Sequence, residues 1–258
     1  MSPAATTHLV LIPSYNSGPL LLETVREALA CWSPVWVVVD ASTDGSERPV
    51  LELARSEPAL RVLVRQRNGG KGAAVLSGAQ AALAAGFSHA LVMDADGQHP
   101  ADRIADFMAA SSCDPDALIL GRPVFGPEAP LVRLKGRQLS VGLVHLETLG
   151  RGIDDPLFGF RVYPLAPLVR TMVRIRGARR YDFDPEMAVR LFWAGTPTVN
   201  LPAACRYRAK EEGGISHFHY VRDNLRMVWL HARLLTQLLW RWPAVRRARA
   251  ARRVSGRR

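Results

Sequence analysis

The sequence predicts an α/β protein with a mostly parallel central sheet flanked by helices, and three observations carry that prediction. Short apolar runs alternate with stretches of helical spacing through the first half of the chain. Those runs stop in loops rich in Gly, Asn, Asp and Ser. The stretch 90–100, ALVMDADGQHP, reads as a buried strand running straight into an acidic turn. In such sheets ligands bind on the loops at the carboxyl ends of the strands, so those loops are where function is expected.

Taken in order, residues 8–13 (HLVLIP) form a strand closed by Pro-Ser-Tyr-Asn-Ser-Gly. Residues 19–32 then place Leu21, Leu22, Val25, Ala28 and Leu29 at helical spacing. A second strand, 35–39, ends at Asp40 and a turn-forming Ala-Ser-Thr-Asp-Gly-Ser. A helix through Val50, Leu51 and Leu53 and a strand at 61–64 follow, and the loop 67–72, RNGGKG, opens an Ala-rich helix to Ala85. Beyond the acidic turn, 117–121 reads as a further strand followed at once by Arg122. A helix is expected from Gln138 to Leu149, and a second, amphipathic one after the acids Asp182, Asp184 and Glu186.

Two familiar nucleotide-binding patterns are excluded. The first loop lacks GxGxxG. Aligned on the Gly-Lys of RNGGKG, Arg65 stands upstream where a phosphate loop has its first glycine, and Gly72 stands where Ser or Thr would bind magnesium. The acidic turn points elsewhere: Asp94 and Asp96, two apart at a strand's end, can turn oxygens toward one hard divalent cation gripping a substrate diphosphate. Lys71, at a helix start, would add a cation.

Composition sets the class. With 258 residues, 48% of them hydrophobic, the chain is long enough for a substantial core and is no disordered segment. No apolar run approaches the ~18 residues that span a bilayer, and the amino terminus makes a poor signal peptide, so a cytoplasmic protein is expected. Cys31, Cys113 and Cys205 are odd in number and widely spaced, which fits neither a disulfide framework nor a zinc knuckle. The net charge of +11 is uneven: eight arginines fall in the last eighteen residues, and without them 26 basic residues face 23 acidic ones. Upstream, Leu225, Val228, Trp229, Ala232, Leu235, Leu239 and Trp242 share a helical face. A basic amphipathic helix with an Arg-rich tail, 221–258, is expected to lie on an anionic membrane surface, peripheral to the inner face of the cell membrane. No recognised RNA or DNA module accompanies the tail, which argues against nucleic acid as the partner.

Four ordered motifs, IPSYN, VVVDASTDGS, RNGGKGAAVLSG and VMDADGQHP, resemble those of glycosyltransferase family 2, in the branch of polyprenyl-phosphate mannosyl- and glucosyltransferases. The resemblance implies a GT-A fold over 1–220, with a nucleotide-binding half to about residue 121 and an acceptor half beyond it. It also implies a nucleotide-sugar donor, UDP- or GDP-linked, and Mg2+ or Mn2+ held by Asp94, Asp96 and Gln98. Donor contacts are implied for Pro13, Tyr15, Asn16, Asp40, Lys71 and Asp94. The family's second motif usually carries paired acids; here Ala41 follows Asp40, so Asp40 alone is left for the base-contacting role.

In that branch, arginines after the fifth strand bind phosphates, which implies Arg122 and Arg137. Residues 152–164, GIDDPLFGFRVYP, resemble the acceptor-side segment, implying roles for Asp155 and Arg161; a structural Asp155–Arg161 pair is the plain alternative. Asp184 is the first choice for general base or acceptor positioning, with Asp155 as the second catalytic acid. The segment 207–217 is similar to the family's late cationic loop, but His217 replaces its lysine, leaving Arg208 or Lys210 to supply the charge. The expected activity is inverting, metal-dependent transfer of a sugar to a lipid-linked acceptor such as polyprenyl phosphate. The alternatives are transfer to a soluble or lipid hydroxyl, and a non-catalytic membrane- or nucleic-acid-binding protein on the same fold.

Overall fold

A computed structural model describes residues 7–126, 131–150, 152–175, 177–206 and 220–255. Alternating strands and helices build the first half: β1 (His8–Ser14), α1 (Leu20–Cys31), β2 (Val35–Val39), α2 (Glu47–Ser56), β3 (Leu60–Val64), α3 (Lys71–Ala84) and β4 (His89–Val92). A short 3-10 turn (Ala101–Arg103) leads into α4 (Ile104–Cys113), then β5 (Leu118–Phe125) and α5 (Leu131–Glu147). The second half closes with β6 (Arg161–Pro164), α6 (Leu165–Val173), α7 (Phe183–Trp193), β7 (Thr198–Cys205) and α8 (Tyr220–Ser255).

Seven strands form one sheet in the order β3-β2-β1-β4-β6-β5-β7. All neighbours pair in parallel except β6, which runs antiparallel to both β4 and β5. Side chains alternate between the two faces, as strand geometry demands. Val10, Ile12, Val37 and Leu91 meet α1, α2 and α4 on one face, whereas Leu9, Leu11, Val38 and Val92 meet α3 and α5–α8 on the other. The chain leaves β1 toward β2 and β3, then crosses back over α3 to place β4 on the opposite side of β1. That reversal opens a crevice outside the carboxyl ends of β1 and β4, the place where open α/β sheets bind ligands.

Two elements differ from the sequence expectation. The strand expected to stop at Gly121 continues to Phe125 because β7 pairs with it residue for residue from Leu118 to Phe125. The helix expected from Gln138 begins a turn and more earlier, at Leu131. The expected terminal helix is present, but it packs on the domain: Leu230, Leu234, Leu238 and Val245 are buried in the core that also holds α5 and α7. No described helix is long and apolar enough to cross a membrane.

At the amino ends of β1 and β4, His8 and His89 stack with ring centroids 4.4 Å apart. Nε2 of His8 shares a 3.0 Å hydrogen bond with Ser111. Burial, assisted by His89, pulls the His8 imidazole down to about 4. The unfolded chain therefore takes up a proton near pH 6.5 that the folded chain refuses, so this stability is complete above pH 6.5 and is lost as pH falls toward 4, at a cost of about 1–3 kcal/mol. His8→Phe should flatten the fall in melting temperature between pH 7 and pH 4.5; an unchanged slope would remove His8 as its source.

Candidate active site

Turn chemistry brings the first two carboxyl-end loops together. Asn16 adopts a left-handed conformation, φ +47, in which its Oδ1 accepts the Thr43 amide at 2.7 Å, while its own amide donates to Ser42 Oγ at 3.1 Å. Pro13 is buried within β1, and Tyr15 is partly exposed beside it. Asn16 is thus engaged in loop-to-loop contacts.

Asp40 follows β2 and faces the RNGGKG loop. Its carboxylate receives the amides of Gly69 at 3.0 Å and Gly70 at 2.6 Å together with the Arg65 guanidinium, and the residue is buried. Both oxygens accept, so Asp40 anchors the RNGGKG loop. Gly70 follows with φ +88, and a Cβ there would meet the Arg179 carbonyl at 2.5 Å. The loop is therefore pressed against the segment entering α7, and the Gly72 amide donates to Arg179 O at 3.0 Å.

This contact delivers Lys71 to the centre of the crevice. Its Nζ lies 2.6 Å from Asp94 Oδ1, at the end of β4, and 2.6 Å from Asp184 Oδ2, in the first turn of α7. Burial draws the Lys71 ammonium down, but Asp184 and Asp94 outweigh burial and hold it above its usual value. Burial pushes Asp94 up, and the groups around it, Lys71 first, together more than reverse this, leaving its carboxyl below the ordinary range. Gly159, from the Gly-Phe-Arg signature, makes room for the pair: a Cβ there would fall 2.5 Å from Lys71 Nζ and 2.9 Å from Asp94 Oδ2. His99, given no role by the sequence, accepts the Asp94 amide on Nδ1 at 2.9 Å and packs edge-on against Phe158. Burial lowers it to about 4, so it is a neutral support near pH 7.

Asp96 stands beside Asp94 with its Oδ1 accepting the Gln98 amide at 3.1 Å. Burial and then the Asp94 charge push its carboxyl up to about 6, the signature of like charges crowded in a low-dielectric place. Asp184 Oδ1 is also buried and accepts no hydrogen bond among the described residues. Three acids against Lys71 and the buried Arg161 guanidinium behind them leave an excess of negative charge. No three His, Cys, Asp or Glu side chains among the described residues converge into a ready-made metal cage. Two carboxylates and an amide oxygen, with further oxygens left to water or substrate phosphate, nonetheless match what a hard divalent cation takes, so the donor set fits one.

The acceptor-side residues divide. Asp155 pairs not with Arg161 but with Arg137, whose Nη2 reaches Oδ1 at 2.8 Å, and it also accepts the amides of Leu157 and Phe158 at 2.8 and 2.9 Å. A carboxylate so engaged holds the 155–158 loop in place. The charge of Arg137 is spent on that pair, with the guanidinium 5.2 Å from the Phe125 ring centroid. Arg161 is wholly buried, and its donors go to the carbonyls of Phe158 at 2.8 Å, Asp184 at 2.6 Å and Pro156 at 2.6 Å, among others. It therefore ties β6 to α7. Arg122 is exposed, 3.8 Å from Asp154, and remains open to a ligand. Arg208, Lys210 and His217 lie outside the described residues.

Removing Lys71 should be costly because it leaves Asp94 and Asp184 without their shared counter-charge. Lys71→Met is expected to destabilise the fold by about 3 kcal/mol, a drop in melting temperature on the order of 10 °C for a chain of this size. Manganese should restore part of it. Calorimetry of the variant with and without the metal checks this, and an unchanged melting temperature would contradict the assigned ion pairs.

The profile of the family described as "Glycosyl transferase family 2" matches residues 9–173. The polyprenol monophosphomannose synthase of Mycolicibacterium smegmatis is 30% identical over 204 residues, covering 75% of this chain and 75% of that protein. The undecaprenyl-phosphate mannosyltransferase of Micrococcus luteus is 30% identical over 216 residues, covering 80% of this chain and 88% of that one. Among solved structures, a Pyrobaculum calidifontis mannosyltransferase in complex with GDP-Man and Mn2+ matches with a TM-score of 0.58 at 19% identity, over 96% of this chain and 75% of its own. S. aureus TarS 1–349 in complex with UDP-GlcNAc matches with a TM-score of 0.57 at 18% identity, over 88% of this chain and 66% of its own. The sheet order, the acidic turn at its switch point and these matches together make the chain a GT-A-fold glycosyltransferase of family 2.

Proposed function

We propose that the enzyme transfers a hexosyl group, mannose being the first choice, from a nucleoside-diphosphate sugar to a lipid-linked phosphate with inversion at the anomeric carbon. The observation that carries this reading is the cluster of Asp94, Asp96 and Asp184 around Lys71 at the carboxyl end of β4. A site with surplus carboxylate suits a cation-bound diphosphate, and the similarity to a polyprenol monophosphomannose synthase and an undecaprenyl-phosphate mannosyltransferase supports a lipid phosphate as acceptor.

Asp96 and Gln98, with Asp94, would hold Mg2+ or Mn2+. When bound, such an ion supplies neutralising charge to a departing diphosphate. An acceptor phosphate oxygen forms the new bond to the anomeric carbon from the face opposite the nucleotide. The bond from that carbon to the β-phosphate oxygen breaks, and the nucleoside diphosphate leaves with the electron pair. A phosphate acceptor is ionised near pH 7, so no residue has to remove a proton from it. Asp184 then acts by position: it holds Lys71 beside Asp94, where the ammonium can turn toward the leaving group. Exposed Arg122 is the cation open to the acceptor phosphate. The outer face of α8 also favours a lipid-borne acceptor. Leu225, Val228, Trp229, Leu239 and Trp240 are 64–86% exposed opposite the face that packs on the core, as in a helix lying at a membrane interface.

The test is a thermal-shift series with GDP-mannose, UDP-glucose and UDP-N-acetylglucosamine, each with and without manganese, paired with transfer to undecaprenyl phosphate. The true donor should raise the melting temperature, and more so with metal. Asp96→Asn should abolish the metal-dependent increment and lower turnover by about 10²–10³. Turnover of that variant equal to wild type would rule out the assigned cation site.

A further inference from the structure

We propose a second anion site, distinct from the acidic crevice, that takes the phosphate head group of an anionic phospholipid. A cavity of about 390 Å³ opens between α6, α7 and α8, lined by Arg174, Arg190, Arg233 and Arg241 together with Gln237 and Trp240. Its size falls within the range of about 300–1,000 Å³ usual for small-ligand sites. No acid lines it. Beneath it, fully buried Glu186 accepts Arg190 Nε at 2.7 Å and Arg233 Nη2 at 2.7 Å, fixing two guanidiniums in place. One carboxylate against four guanidiniums leaves the cavity strongly positive. Arg233 Nε is a buried donor with no acceptor among the described residues. Rigidly held guanidinium forks with unspent donors suit a phosphate better than a point-like anion.

The surroundings identify what bears the phosphate. Trp240, at the wall of the cavity, is 86% exposed, and Leu239 beside it is 73% exposed. A smaller cavity of about 180 Å³ shares Arg233 and adds Arg179, Arg180 and Arg226, against one acid, Asp182, beside Trp229, itself 70% exposed. Arginines set below a row of exposed tryptophan and leucine match the layering of a bilayer surface, with aromatic rings at the level of the head groups. On this view α8 binds the core with one face, acyl-chain boundary with the other, and head-group phosphate between. Choosing a lipid as bearer rests on the lipid-borne acceptor of the preceding subsection, whose donor-dependent thermal shift is measured separately. Failure there leaves the vesicle result standing, and the reverse also holds.

The full chain is to be mixed with vesicles of phosphatidylcholine and phosphatidylglycerol, and with vesicles of phosphatidylcholine and oleate matched in charge, following tryptophan emission. Wild type should prefer the phosphatidylglycerol vesicles by about tenfold. Arg174→Gln and Arg241→Gln should each erase that preference. Arg246→Gln, an exposed arginine of α8 outside the cavity, should keep it. Equal binding to both vesicles, or equal loss in the Arg246 variant, would overturn the site. Glycerol phosphate that stabilises wild type but not the two cavity variants, without any vesicle preference, would overturn the lipid as its source.

Discussion

A single lysine ammonium, shared between Asp94 and Asp184, is the constraint around which the two halves of this molecule are arranged. Asp94 comes from the loop that follows the central strand β4 and Asp184 from the start of α7, 113 residues away from Lys71 in sequence. Bringing two carboxylates together inside a protein costs several kcal/mol of desolvation unless a counter-charge comes with them. Lys71 is that counter-charge, and it reaches the site because Asp40 fixes the preceding glycines and Gly159 leaves the space empty of side chain. Asp94 and Asp184 are therefore held as one electrostatic unit. Displacing the lysine by a cation and a diphosphate would exchange one set of charges for another without moving the sheet.

Acids and arginines that look catalytic in sequence prove to be of two kinds. Asp40, Asp155 and Arg161 are saturated by backbone groups and by one another's neighbours, so they shape loops. Asp96, Asp184 and Arg122 keep an unspent oxygen or an exposed head. That distinction is one of hydrogen-bond completeness, which residue type and spacing do not encode.

The first half of the fold was legible because its strands are apolar runs ending in Asn, Asp and Gly turns, and the acidic turn marked the loop that meets Lys71. β6 was not, since its four residues, RVYP, are all buried and show no alternation. β7 was hidden by Pro202 and its small residues, tolerable because it pairs only with β5 at the sheet's edge. The partners of Asp155 and Asp184 depend on contacts across the fold, out of reach of local pattern. α8 was legible as an apolar helix, but the sequence showed only its outer stripe; Leu230, Leu234 and Leu238 form a second stripe that binds the core.

The most direct measurement is anomalous diffraction at the manganese edge from crystals grown with manganese and the nucleotide-sugar that stabilises the protein. The account predicts one manganese peak at the Asp96 carboxylate, contacting the diphosphate, with Lys71 Nζ turned from Asp94 toward phosphate oxygen. A diphosphate bound away from β4, or a metal peak elsewhere with the Lys71–Asp94 pair intact, would contradict it.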